Sequence, residues 1–292
     1  MTSILKTTRT RQVALPRQQS DKGTTYMFKK LTIAFTFVSL LATGGAQAAG
    51  GEGYVKDHAF SFEGPFGSFD QEQLRRGLKI YTEVCSSCHG MKFVPIRSLG
   101  DEGGPHLSKE EVRAYASDFV EVWDQDLNDG EGDYREAVPA DHFPKGGNAN
   151  APDLSLMAKA RAGFHGPAGT GINQLVKGMG GAEYIMSLLT GYTGNEKTSA
   201  GVTLYENTAY PGGWISMGPP LEDELVEFED GHMNDLQHLS EDISAFLMWT
   251  AEPKLNDRKR AGTVGVLILG FLTLLLYLAN KQLWRPIKYR KD

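Results

Sequence analysis

The sequence predicts a mainly α-helical domain with long loop insertions, tethered to a membrane by one C-terminal transmembrane helix. Three observations predict it. Leu74, Leu78, Tyr81 and Cys85 recur at spacings of four, three and four, the period of one helix face. The run Cys85-Ser86-Ser87-Cys88-His89 stands at the end of that stripe. Residues 261–279 then give 19 positions without a charge, which at ~1.5 Å per residue nearly match a hydrocarbon core of roughly 30 Å.

Two thiols three positions apart with an adjoining His form the attachment signature of a c-type haem. Each thiol adds across one haem vinyl group, and His89 is carried beneath the ring to ligate iron. A zinc site needs four ligands, and the 292 residues contain only Cys85 and Cys88, so zinc would have to recruit distant His residues. A thioredoxin-like reading lacks the strand that should precede the motif. Covalent haem makes electron transfer the leading function, and the helical stripe doubles as core packing around it.

The N-terminus reads as an export signal. Lys29 and Lys30 precede an apolar stretch at 31–41, and Ala46-Gln47-Ala48 follows as a small-residue cleavage site. Residues 1–48 are therefore set apart as an N-terminal extension and cleaved signal, with Met27 as an alternative start. An uncleaved anchor competes, but the apolar run is short for a span. At the other end, Arg258, Lys259 and Arg260 precede the apolar segment and Lys281, Arg285, Lys288, Arg290 and Lys291 follow it. The bias favours a cytoplasmic C-terminus, as does export of the domain. Trp284 and Tyr277 suit the membrane interface. The division is thus 49–257 as an extramembrane haem domain, 258–280 as the anchor and 281–292 as a cytoplasmic tail.

Charge is unevenly spread. Residues 49–257 carry 15 Lys and Arg against 34 Asp and Glu, a formal −19 compared with −6 for the whole chain. Such a field attracts a basic soluble partner in a salt-dependent way, although solubility alone is an alternative reading. It excludes nucleic acid. These 209 residues suffice for one core.

Taken in order, Phe60, Phe62, Phe66 and Phe69 form an apolar lead-in expected to pack beside the first helix. Asp70 caps that helix, with Gln73 three residues on. Ser108 and Glu111 make a capping box for a helix through Phe119. Residues 124–133 read as a solvent loop, whose spacing does not fit an EF-hand. Pro152 and Asp153 open a helix with Leu154, Met157, Ala158 and Arg161 on one face, ending near Gly163. A further helix runs from Glu183 to Leu189 and stops at Gly191. Residues 202–205 suit a short strand, and 209–220 a Gly/Pro-rich loop. Ser240 caps a last soluble helix, with Ile243, Phe246 and Leu247 apolar, that ends before Pro253.

Iron held only by His89 would keep a position open to small molecules, whereas a protein ligand closes it. Met91 is too close to His89 to cross the ring, and Met157, Met186 and Met248 sit in helical patterns that suggest core filling. Met217 lies in a non-periodic run, Trp214 to Pro220, stiffened by two prolines. Met179 and His165 are the alternatives. A thioether ligand raises the potential relative to a second His.

Arg75-Arg76-Gly77 through the Cys85–His89 run, Ala151-Pro152-Asp153-Leu154-Ser155 followed by Ala160-Arg161, Leu188-Leu189-Thr190-Gly191-Tyr192, Met217-Gly218-Pro219-Pro220 and Ala251-Glu252-Pro253 together closely resemble the cytochrome c1 family, the haem subunit of cytochrome bc1 complexes. The likeness covers nearly all of residues 54–290 and is nearest to versions from photosynthetic and related bacteria. The resemblance implies a cytochrome c-like haem domain in which Cys85 and Cys88 hold one haem c, His89 is the proximal and Met217 the distal ligand. It places Arg161 at a haem propionate, Tyr184 and Pro152 along the haem pocket, and Asn150, with Asn148 as alternative, near the propionates. It implies a single-pass subunit of the bacterial inner membrane with its haem domain in the periplasm. That subunit accepts one electron from the Rieske iron-sulfur protein and passes it to a soluble or anchored cytochrome c. Cytochrome b is a partner within a dimeric complex, and the chain is an electron-transfer subunit rather than a catalyst on its own. The rivals are a free-standing anchored cytochrome c, expected to have a shorter domain on a longer linker, and a haem-based ligand sensor with an open sixth position. The conformation of residues 192–214 stays open at this point.

Overall fold

A computed structural model describes residues 53–161, 163, 173–174 and 177–288. The expected signal segment and His165 lie outside the described residues. Helix α1 spans Gln71–Glu83 and starts as expected, the Asp70 carboxylate accepting from the amides of Glu72 and Gln73. Gln73 does not complete a capping box. Its amide instead donates to Glu241 Oε1 at 3.1 Å on another helix. Ahead of α1, Phe60, Phe62 and Phe69 are buried in a chain of rings 5.0 and 4.9 Å apart, while Phe66, expected with them, is 82 % exposed.

The centre of the domain is the crossing of α1 with α5, which spans Leu236–Ala251. A Cβ added to Gly77 would lie 2.4 Å from the Asp242 carbonyl oxygen and 2.5 Å from Phe246 Cβ, so only glycine lets the helices approach this closely. Leu74, Leu78 and Tyr81 from α1 and Leu239, Ile243, Phe246 and Trp249 from α5 fill the core. Beside the crossing, Arg76 Nε donates to Asp242 Oδ2 at 2.7 Å and Nη1 reaches Asp230 at 3.0 Å. Helix α5 begins earlier than expected. Asp235 caps it, and Ser240 is a fully buried residue of its second turn, because Leu239 extends the apolar face N-terminally.

Helix α2, Lys109–Phe119, carries the predicted Ser108–Glu111 capping box. The loop expected at 124–133 is the tip of an antiparallel hairpin, β1 (Glu121–Asp124) with β2 (Asp133–Glu136), closed by Arg135 bridging Asp124 and Asp141 at 2.8 Å each. The helix expected from Pro152 shrinks to one turn, α3 (Met157–Ala160). Asp153 does not cap it, since its carboxylate accepts from the amides of Lys92 and Ser155. Helix α4, Gly181–Thr190, ends at Gly191 as expected. It packs on α3 so tightly that a Cβ at Gly181 would meet the Ala158 carbonyl oxygen at 1.7 Å. The short strand expected at 202–205 is the middle one of three between residues 192 and 215. Strands β3 (Tyr192–Ser199), β4 (Val202–Asn207) and β5 (Trp214–Ile215) form one antiparallel sheet. Finally α6, Leu255–Lys288, is longer at both ends than the expected 258–280 anchor; its apolar window has mean hydropathy 2.2 and no burial.

The aromatic lead-in is tied to α4 by a pair of carboxyls, Glu63 and Glu183. Glu183 is 1 % exposed, and burial, with Glu63 alongside, pushes its carboxyl up to about 8. Burial raises Glu63 as well.

Two outcomes follow from this packing. Gly77→Ala forces the helices apart at a cost of about 1–3 kcal/mol, as for overpacked cores; an unchanged thermal midpoint would contradict the crossing. Between its ordinary 4.5 and about 8, Glu183 binds more proton in the folded than in the unfolded chain. Stability is therefore full below that window and falls as pH rises through it. Glu183→Gln, uncharged throughout, flattens the fall; thermal midpoints measured across the window should diverge between parent and variant, and parallel curves would refute the assignment.

Candidate haem site

Helix α1 delivers the motif but does not contain it. Its last bond runs from the Val84 amide to Ile80 O at 3.0 Å, and Cys85–Ser87 is a 3₁₀ turn rather than the expected continuation of the helix. The Cys88 and His89 amides both donate to Cys85 O, at 3.2 and 2.8 Å, so the two thiols and the imidazole belong to one tight turn. Cys85 is partly buried, and burial pushes its thiol up to about 12, with Cys88 adding a smaller push. Redox-active Cys pairs need a lowered thiol pKa, so this displacement is opposite to what thioredoxin-like chemistry requires.

His89 is fixed by a residue 63 positions away. Its Nδ1 lies 2.7 Å from the Pro152 carbonyl oxygen. A carbonyl only accepts, so Nδ1 carries the proton and Nε2 keeps its lone pair for a metal. The Tyr81 hydroxyl donates to the His89 carbonyl at 3.0 Å, and burial raises the phenol, keeping it a donor. Two glycines let the chain fold over the motif: a Cβ at Gly90 would stand 2.2 Å from Gly146 N, and one at Gly146 would stand 2.5 Å from Cys88 O. The segment around Pro152 is clamped from both sides. The Leu154 amide donates to Gly90 O at 2.8 Å, and Asp153 and Ser155 accept from the amides of Lys92 and Phe93 at 3.0 and 3.1 Å.

A second group forms around α4 and the three-stranded sheet. The Arg161 guanidinium lies 5.5 Å from the centroid of the Tyr184 ring, a cation–π distance. Tyr192 Oη donates to the Met217 carbonyl at 3.0 Å. Pairing of Trp214 with Glu206 and Ile215 with Tyr205 holds the strand that leads into Met217. Asn150 is exposed, and its amide donates to Asn148 Oδ1 at 3.0 Å. Among the described residues, no hydrogen bond or ring contact joins Met217, Tyr184 or Arg161 to His89. Of the other methionines, Met91, Met186 and Met248 are core residues, and Met179 lines a cavity beside α6. Tyr81 and Tyr192 position the chain through backbone carbonyls, contacts that carry no sequence signal.

A family model described as "Cytochrome C1 family" matches residues 60–287. The chain belongs to the cytochrome c1 family. It is 52 % identical over 291 residues to "Cytochrome c1" of Cereibacter sphaeroides, covering 91 % of this chain and 99 % of that protein. It is 47 % identical over 284 residues to "Cytochrome c1" of Rhodobacter capsulatus, covering 90 % and 99 %. It is 37 % identical over 249 residues to "Cytochrome c1, heme protein, mitochondrial" of Saccharomyces cerevisiae, covering 80 % and 73 %. Cytochrome c1 is the haem-bearing subunit of the cytochrome bc1 complex, so the chain is an electron-transport protein. The apolar helix α6 fits its membrane anchor. The donor set fits haem: two thiols on one turn, an imidazole held through Nδ1 by a backbone carbonyl, and a methionine on a loop braced by Tyr192.

Proposed function

We propose that this cytochrome c1 carries one covalent haem c between His89 and Met217 and passes single electrons from a Rieske iron-sulfur protein to a cytochrome c. The observation that carries the reading is the bond from His89 Nδ1 to Pro152 O, which sets the tautomer an axial ligand needs. Bound there, haem supplies a one-electron couple. Cys85 and Cys88 would hold it covalently, and His89 Nε2 and Met217 Sδ would ligate its iron, a thioether donor favouring the reduced state. Arg161, on a solvent-exposed turn, is suited to pair with a propionate. Tyr184 and Pro152 line the pocket, with Asn150 near the propionates.

In this reading the signal is cleaved after Ala48, the haem domain is periplasmic on the bacterial inner membrane, and the C-terminus is cytoplasmic. Cytochrome b is the neighbour of α6 in a dimeric complex, and no substrate bond changes on this chain. A free-standing shuttle would need a long tether, yet only residues 252–254 separate α5 from α6.

Redox titration of Met217→Leu beside the parent tests the ligand. The potential should fall by about 60 mV or more, a tenfold shift for one electron, with slower quinol-driven reduction of cytochrome c; an unchanged spectrum and potential would contradict it. The acidic domain should also steer a basic cytochrome c. Raising ionic strength from about 0.01 M to about 1 M shortens the screening length from roughly 30 to roughly 3 Å, and the bimolecular rate should drop about tenfold or more. A rate indifferent to salt would remove steering from the account.

A further inference from the structure

We propose that the cavity at the root of α6 is a binding site for one anionic phospholipid. The cavity has a volume of about 760 Å³ and is walled by Phe62, Met179 and Met248 from the domain and by Val266 and Leu267 from the anchor. That volume lies within the roughly 300–1,000 Å³ of small-molecule sites. Val266 and Leu267 are 71 % and 68 % exposed and belong to the uncharged stretch that begins at residue 261, so this wall stands at the depth of acyl chains. Two cations line the same cavity less than three helical turns away, Arg258 and Lys259, which puts them at headgroup depth.

Both cations are held in place and keep donors to give. Lys259 Nζ donates to the carbonyls of Phe62 and Gly67, leaving the third ammonium proton. Arg258 Nη2 pairs with Glu252 Oε2 at 2.8 Å, and this is the one ion pair its guanidinium makes among the described residues. The acidic residue of the lining, Glu63, does not oppose an anion as an exposed carboxylate would: its Oε1 is buried without a hydrogen-bond partner, and burial raises its carboxyl. A soluble anion would satisfy Arg258 and Lys259 but leave Val266, Leu267 and Met179 uncovered. A phospholipid with a net negative headgroup satisfies both ends.

The test uses the intact complex in nanodiscs of phosphatidylcholine containing a minor fraction of phosphatidylglycerol, followed by detergent washing and lipid mass spectrometry normalised to haem. The parent should retain phosphatidylglycerol in preference to phosphatidylcholine. Arg258→Gln with Lys259→Gln should lower that retention roughly tenfold. Gly262→Phe, which fills the cavity without changing charge, should do the same; Gly262 has open space around it, so its fold is not at risk. Arg260→Gln, an exposed cation outside the lining, should leave retention unchanged. Equal retention in Gly262→Phe and parent, equal loss in Arg260→Gln, no preference between the two lipids, or cross-linking of Val266 to another subunit in place of lipid would each overturn the site.

Discussion

Where α1 crosses α5, a Cβ on Gly77 would stand 2.4 Å from the Asp242 carbonyl oxygen, so the two helices meet backbone to backbone, and both functional ends of the chain run out of that crossing. The end of α1 leads within two residues to Cys85, and the end of α5 leads within four to the anchor. Tyr81 shows how directly the two are linked. Its ring packs 6.1 Å from Phe246 of α5 and 5.8 Å from Phe143, while its hydroxyl holds the His89 carbonyl. Interiors packed at crystal-like density transmit small displacements, so the position of the motif relative to the membrane is set by this contact rather than by a tether.

Around the motif, the chain uses backbone rather than side chains to fix geometry. Pro152 O orients the imidazole, Cys85 O gathers the amides of Cys88 and His89, and the Gly90–Gly146 approach places a second strand of chain against the turn. In the second group, Tyr192 holds Met217 through its backbone carbonyl rather than through its side chain. An electron-transfer protein profits from such rigidity, because little reorganisation of its ligands is then needed when the charge on the metal changes.

Local signals in the sequence carry directly into the structure. The Asp70 cap, the Ser108–Glu111 box, the stop at Gly191 and the uncharged run of the anchor depend on residues within a few positions of one another, and each appears in the structure. The losses have two causes, partners far away in sequence and segments without a burial period. Asp153 spends its carboxylate on Lys92, 61 residues off, so no helix starts there. Strand β3 is exposed along nearly its whole length, so it lacks the alternation that marks a strand. For the site, the Cys-x-x-Cys-His run is local and legible; the proline-stiffened run from Trp214 to Pro220 sets Met217 ahead of Met179 on the residues alone, and the family resemblance strengthens that order. The bracing of Met217 by Tyr192 and the β4–β5 pairing spans 8 to 25 residues and leaves no pattern in the sequence.

The central claim is that one iron lies between His89 and Met217 on a haem joined to Cys85 and Cys88. Determining the structure of the assembled complex from cells that mature c-type haem tests it most directly. The account predicts continuous density from iron to His89 Nε2 and to Met217 Sδ, with both Cys sulfurs bonded to the porphyrin and Pro152 O still at His89 Nδ1. Density from iron to Met179, to a second imidazole or to no sixth protein ligand would contradict it.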